Sequence, residues 1–331
     1  MRVLAWHVHG SWMTSFVQGR HDHLVPVTPD RGPDGLGRAR TYPWPDTVTE
    51  VTPEQLRDAE LDLVVLQRPH EIELCERWTG RRPGRDLPAV YVEHNTPRGD
   101  VNDWRHHLAD RDDIPVVHVT PFNAAMWDNG RAPVRVIEHG VPDPGHLYRG
   151  HQEDPATLGV VVNEPVRRAR VAGIDLAARI SAEVGVELYG LGLHGVEALF
   201  PPGRRDTGAT SGLLAAHEDV PQVRMHAALA GHRAYLHPYR WTSLGLALIE
   251  AMTIGMPVLV LAATAAPEAV PDAAGLATAD VEALARRARQ LAADPDLAWA
   301  TGCAAREHAL SRFGIDRFVD DWDRLMKEVA G

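Results

Sequence analysis

The sequence predicts two α/β units in tandem, each a parallel β-sheet covered by helices, and three observations carry that expectation. The chain has 331 residues, too many for one ordinary hydrophobic core and enough for two of similar size. Short apolar runs alternate with helical stretches through most of it, the pattern of buried parallel strands joined by helical crossovers. A Pro- and Gly-rich break at residues 140–155, GVPDPGHLYRGHQEDP, interrupts the alternation, which restarts beyond it.

In the first half the apolar runs are residues 2–8, 61–67, 89–93, 116–120 and 134–138. The opening MRVLAWHV reads as a first strand, with no basic segment and long apolar stretch of the kind that directs export, so a cytoplasmic protein is expected. Residues 28–46 are rich in Pro and Gly and carry Tyr42 and Trp44. A long loop with aromatic content is more often functional than an empty connector. After the break the runs are residues 158–163, 186–189, 234–236 and 258–261. Asp280 is placed to cap a helix over 280–293, with Val281, Leu284, Ala288 and Leu291 on one face. A last helix over 316–329 has Phe318, Trp322 and Leu325 at helical spacing. Two such units are expected to hold a ligand in the cleft between their strand ends. Two-domain dehydrogenases and periplasmic binding proteins share this description.

Composition narrows the function classes. Hydrophobic residues make up 44% and charged residues 24%, ordinary for a soluble globular protein. The net charge of -11, from 34 Lys+Arg against 45 Asp+Glu, disfavours nucleic acid and anionic membrane surfaces as partners. No apolar run approaches the roughly 20 residues needed to span a bilayer. Lys327 is the only lysine, which removes chemistry that needs a catalytic, Schiff-base or P-loop lysine. Cys75 and Cys303 form no metal or disulfide pattern.

The informative segment is WTSLGLALIEAMTIGMPVLVL, residues 241–261. Thr242 or Ser243 can cap a helix, Gly245 lets the backbone approach a ligand, and Leu246, Ile249 and Met252 supply an apolar face. Gly255 suits a left-handed helix end and Pro257 opens the next strand. A helix N-terminus offers free N–H groups and a positive dipole end, which suits a diphosphate. Glu250, about two turns in, is able to accept hydrogen bonds from ribose hydroxyls. On this segment alone, a buried βα unit whose glutamate faces solvent reads the same way.

The segment resembles the E-S-F-G-L-x-x-x-E-A-M-x-x-G-x-P-V signature of retaining GT-B glycosyltransferases of family 4. Glu250 matches the second glutamate, Gly245 the glycine, and Ala251, Met252, Gly255, Pro257 and Val258 the remainder. LHPYRW (236–241) resembles the family's V-x-P-S strand and turn, and APEAV (266–270) its G-x-P-E-V loop. VIEHGVPD (136–143) resembles V-I-P-N-G-V-D at the end of the first domain, and RFGIDRFVDDW the C-terminal helix that crosses back. The resemblance implies the GT-B fold, two Rossmann-like domains with parallel sheets facing across a cleft. An N-terminal acceptor domain of residues 1–150 is expected, joined by the helix at about 316–331, with a donor domain of residues 151–315. It implies transfer of a sugar from a nucleoside diphosphate sugar to a small-molecule or glycan acceptor, with retention at the anomeric carbon and without metal or cofactor.

Residue by residue, the resemblance puts Glu250 on the donor ribose and the Ser243–Leu244–Gly245 backbone on the diphosphate. The family's G-R-x-x-x-x-K-G maps onto EPVRRARVAG, where Arg167 takes the arginine position and Ala172 the lysine's. Arg168 or Arg170 can supply the missing charge; a solvated helix face is the other reading of three arginines. The family's first glutamate falls on Thr242. His94, in YVEHNTP, resembles the histidine placed near the transferred sugar, and Gly10, after His9, the glycine of the first loop; a core histidine and a simple turn are the plainer readings. His7-x-His9, His21-x-His23 and His106-His107 lack the cysteines or carboxylates of a zinc site. The loop ERWTGRRPGR (76–85) can be an acceptor or lipid contact or a solvated arginine loop. Thr242 and Ala172 favour the alternative function, a degenerate GT-B protein that binds a nucleotide sugar or a partner subunit without catalysis.

Overall fold

Seven strands build the first sheet: β1 (Arg2–Ala5), β2 (Asp22–Pro26), β3 (Val48–Val51), β4 (Leu63–Leu66), β5 (Ala89–Glu93), β6 (Val116–His118) and β7 (Val134–Val136). They run in the order β3-β2-β1-β4-β5-β6-β7, every neighbouring pair parallel. The central strands are apolar on both faces because helices cover both: all four residues of β4, LVVL, are buried. Leu4, Trp6, Leu56, Val64, Leu66, Leu74, Tyr91, Leu108 and Ile114 share one of the resulting cores. The computed structural model describes residues 1–154, 156–200, 202, 205, 206 and 209–331.

The second sheet repeats the plan with β8 (Leu158–Val161), β9 (Val186–Gly190), β12 (Leu213–Glu218), β13 (Ala234–His237), β14 (Val258–Leu261) and β15 (Gly275–Thr278). A two-stranded antiparallel ribbon, β10 (Arg205–Asp206) with β11 (Ala209–Thr210), lies outside it. The order β12-β9-β8-β13-β14-β15 is again wholly parallel. In each sheet the order reverses beside the first strand, between β1 and β4 and between β8 and β13. Open parallel sheets bind ligands at such a reversal, beyond the carboxyl ends of the strands.

The chain parts into two compact units, Met1–Pro142 with Ile315–Gly331, and Asp143–Gly314. The first unit stops short of residue 150 because the break at 140–155 is tied to the second. The amides of Leu147 and Tyr148 donate to the Ile254 carbonyl at 3.1 and 3.0 Å, and Arg149 to that of Ala230 at 2.8 Å. Arg306 pairs with Asp143 at 2.7 Å. Pro155, the last residue of the break, lies outside the described residues. The helix Ile315–Ala330 joins the first unit, with Phe318 and Trp322 buried and Trp322 edge-on to Trp12 at 5.7 Å.

Strands β2, β3, β12 and β15 fall where no apolar run was expected. Residues 28–46 form a loop held by its charges. Arg31 makes two bonds to Glu50 at 2.9 and 3.0 Å. Arg38 donates to the carbonyls of Trp44 and Pro45 at 3.1 and 3.0 Å and to that of Val48. The Trp44 indole N–H reaches the Thr14 hydroxyl at 2.9 Å.

Candidate functional site

In the second unit the chain leaves β8 through Asn163 and turns at Glu164, which adopts the left-handed φ of 52°. It then enters the helix Pro165–Ala172, which breaks at Ala169 with φ 34° and ψ −106°. Non-glycine residues rarely hold such angles, so the turn is locally strained; the two adjacent arginines within it go different ways. Arg167, 70% exposed, folds back onto the Glu164 carboxylate. Arg168 stands over the Tyr239 ring, its guanidinium carbon 5.4 Å from the centroid. Tyr239 follows β13, so it is Arg168 that meets the strand that begins the reversal. Arg170 points elsewhere and pairs with Asp175, as does Arg240.

Beyond Tyr239 the chain runs to the helix Leu246–Thr253. Gly245 is its N-cap, with extended φ −72° and ψ 121° and no side-chain cap bond. Neither Thr242 nor Ser243 caps the helix, contrary to expectation. Ser243 and Leu244 are buried, and the Ser243 carbonyl accepts from the Ala265 amide at 3.3 Å. The glycine at 245 has a steric cause: a β-carbon there would lie 2.5 Å from Cε1 of His237. Burial pushes the His237 pKa down to about 3, so this ring stays neutral beneath the helix start.

Glu250 sits one turn past the helix start, where two turns were expected, because the helix begins only at Leu246. It is 4% exposed. Its Oε1 accepts from Gln222 Nε2 at 2.9 Å, and its Oε2 faces His226 Nε2 at 3.3 Å. Both partners come from the helix Gln222–Leu229.

The reversal in the first unit has a different chemistry. Gln67, just past β4, donates from Nε2 to the Trp6 carbonyl at 2.7 Å and accepts at Oε1 from His94 Nε2 at 3.1 Å. That contact fixes a neutral His94 as its Nε2–H tautomer. The His94 ring lies 4.3 Å from that of His9 and 4.9 Å from that of Trp12. Burial, then the neighbouring His9 and His139, hold His94 well below the usual histidine range. Burial likewise takes His9 to about 4 and His139 to about 3. Gly10 is the first residue of the helix Gly10–Phe16. The space beside it is taken by Tyr42, whose ring would lie 2.6 Å from a β-carbon there.

Among the described residues no group of three or more His, Cys, Asp or Glu is placed to hold a metal ion. No helix among them is long and apolar enough to cross a membrane. In the loop of residues 76–85, Arg82 pairs with Asp86 at 2.7 Å and Arg81 donates to the Ala59 carbonyl at 3.1 Å. These are the bonds of a solvated structural loop. Sequence reasoning passed over Tyr239, His237, Gln222, His226 and Gln67. The first two lie within the LHPYRW segment; the other three carry no local signal.

Residues 207–294 match the family described as Glycosyl transferases group 1. No curated protein sequence matches the chain. Among solved structures, the sucrose-phosphate synthase of Thermosynechococcus elongatus superposes with a TM-score of 0.70 at 15% identity, covering 99% of this chain and 98% of that one. HepE of Anabaena, solved with UDP-glucose, gives 0.63 at 15% identity over 99% and 100%. TarM of S. aureus gives 0.61 at 13% identity over 80% of this chain, which spans 55% of TarM's length. The chain thus has the GT-B fold, and a segment of its second unit is similar to the Glycosyl transferases group 1 family.

Proposed function

We propose that the chain is a glycosyltransferase that takes a sugar from a uridine diphosphate sugar, with retention and without a divalent metal, and passes it to an acceptor hydroxyl. The observation that carries this is the arrangement around Glu250. A buried carboxylate lies one turn inside a helix whose N-cap is Gly245, and the helix belongs to the matched segment 207–294. The carboxylate takes the ribose hydroxyls, and the backbone at Ser243, Leu244 and Gly245 takes the diphosphate. Arg168 supplies the cation on the leaving diphosphate; its partner is an aromatic ring, whereas Arg167 is already paired with a carboxylate. Charge stabilisation of the leaving group is the main electrostatic demand of sugar transfer.

The uridine assignment leans on HepE, solved with UDP and with UDP-glucose. Thr242, in place of a carboxylate, offers a short neutral group to the sugar and tunes which sugar is taken. His94 and its neighbours belong to the acceptor side. The test is calorimetry and turnover with UDP, GDP, ADP and their glucose conjugates. UDP binding in the presence of EDTA is expected, with slow UDP release from UDP-glucose in excess EDTA that an acceptor accelerates. Loss of turnover restored by Mg²⁺ would refute the metal-free part. Nucleotide-sugar affinity with no UDP release under any condition would leave a binding protein, the reading that Thr242 and Ala172 favour.

A further inference from the structure

Arg68 follows Gln67 just past β4, at the reversal of the first sheet. Its Nε donates to Oε1 of Glu71 at 2.7 Å. Glu71 is itself fixed: its side chain is fully buried, and its Oε2 accepts from the Gln67 and Arg68 amides at 2.6 and 3.2 Å. That anchor aims the far end of the guanidinium. There Nη1 donates to the Pro33 carbonyl at 3.0 Å and lies 3.1 Å from Oδ1 of Asp34, the same oxygen that faces His70 Nε2 at 2.8 Å. Nη2 is closed to solvent and has no hydrogen-bond partner among the described residues. A buried N–H left unpaired is costly, and a guanidinium offers Nη1 and Nη2 together as one fork. Asp34 meets that fork with a single shared oxygen, from a side chain 43% exposed, and an exposed ion pair of this kind contributes little. The fork also stands near the rings of the first unit. Burial is the main reason that His9 sits near 4, and the neighbouring Arg68 charge adds to it; the His9 ring is 4.3 Å from that of His94.

We infer that the Nη1–Nη2 end of Arg68 is the subsite for an anionic group of the acceptor, a carboxylate or a phosphate, and that Asp34 holds its place until that group arrives. That the anion belongs to an acceptor rests on the transferase reading above. Asp34 itself shows that this end of Arg68 takes a carboxylate with Glu71 still bound at Nε. A group that sets two oxygens on the fork replaces one contact with two and completes Nη2. The exchange leaves the number of anions around Arg68 unchanged. Because Nη2 is closed to solvent, the exchange carries residues 32–35 aside with Asp34. They form one turn, closed by the Gly35 amide on the Gly32 carbonyl at 3.0 Å. The loop is tied on either side of this turn, by Arg31 to Glu50 and by His7 Nδ1 to the Gly37 carbonyl at 2.9 Å, so the shift stays local.

The experiment measures glucuronate, glucose 6-phosphate and glucose binding to the full chain by calorimetry, for wild type, Asp34→Ala and Asp34→Ala combined with Arg68→Lys, with thermal melts to show that each is folded. UDP is kept saturating so that no probe reads the diphosphate place, and the series is repeated without nucleotide in an Arg168→Ala background. Asp34→Ala is expected to tighten an anionic probe about fivefold or more, because the carboxylate that competes for the fork and repels the ligand is gone. Glucose binding is expected to stay unchanged. Arg68→Lys, which keeps a cation for Glu71 but has no fork, is expected to erase the gain. A gain for glucose 6-phosphate alone identifies a phosphate, and a gain for glucuronate alone a carboxylate. A merely structural contact at Asp34 would give no gain for either anion, and that result overturns the inference. A gain that survives Arg68→Lys, or that extends equally to glucose, overturns it as well. If the double variant does not fold, Asp34→Ala decides alone through the anions against glucose, since its exposed position tolerates truncation. Wild type that binds no UDP overturns the donor reading, and the series without nucleotide still decides whether Arg68 takes an anion.

Discussion

The two sheets have the same strand order at their reversals and opposite chemistry. Beside β8 and β13 the structure gathers formal charge: the Arg168 guanidinium over Tyr239, and in the helix beyond them the buried Glu250. Beside β1 and β4 it gathers neutral rings, His94 against His9 and Trp12 and bonded to Gln67, while the charge there is already paired between Arg68 and the buried Glu71. A diphosphate needs fixed charge, whereas a sugar hydroxyl needs uncharged groups able to accept a proton without repelling the donor. The same topology thus supplies position, and the residues at the strand ends decide what is positioned.

Acid breaks this contrast most severely. Histidines buried neutral carry folded-state pKa values below their ordinary 6.5: about 4 for His9, His23 and His107 and about 3 for His139. Between those values and 6.5 the unfolded chain binds the protons that the folded chain refuses, so stability falls as pH drops through that window. The second unit has fewer such groups, with His232 near 4 and His237 near 3. Hydrogen exchange followed from pH 7 to 4 is expected to show the first unit losing protection before the second. Simultaneous loss, or loss led by the second unit, would erase the distinction.

The catalytic side of the contrast is sharpened by His94→Ala. Removing a neutral imidazole from the acceptor side is expected to lower turnover about hundredfold, with UDP affinity unchanged by calorimetry. A matching loss of UDP affinity would move His94 to the donor side. A smaller effect separates two adjacent arginines. Arg168→Ala is expected to weaken UDP roughly tenfold, the loss of one charge-assisted contact. Arg167→Ala, which removes an exposed ion pair, is expected to weaken it less than about threefold. The reverse order would show that Arg167, at the matched family position, is the phosphate ligand and not Arg168.

How much of this was legible in the sequence varied from strand to strand. The central strands announced themselves because both faces are covered: LVVL of β4 and VLVL of β14 are buried throughout. VTEV of β3 and LLAAHE of β12 lie at sheet edges with exposed residues in the pattern, so no apolar run marks them. The helix bearing Glu250 was legible from its signature, down to Gly255 at φ 95°. Its start was not, because Thr242 and Ser243 look like caps while the N-cap is Gly245. What separates Arg167 from Arg168 is their partners, the Glu164 carboxylate and the Tyr239 ring, which nothing in the local sequence announces. Gln222 and His226 were invisible because nothing local connects them to a carboxylate on a different helix.

The return of the helix Ile315–Ala330 to the first unit has a consequence for biosynthesis. Trp12 and Phe16 complete their packing only against Trp322, 5.7 and 5.2 Å away between rings, and Trp322 follows the whole second unit in the chain. Until then the first unit presents an open aromatic face while the whole second unit is being made. The second unit, whose residues are contiguous, has no such wait. The half made first is therefore finished last, and during that interval its uncovered tryptophan face is the natural target for chaperones and for aggregation.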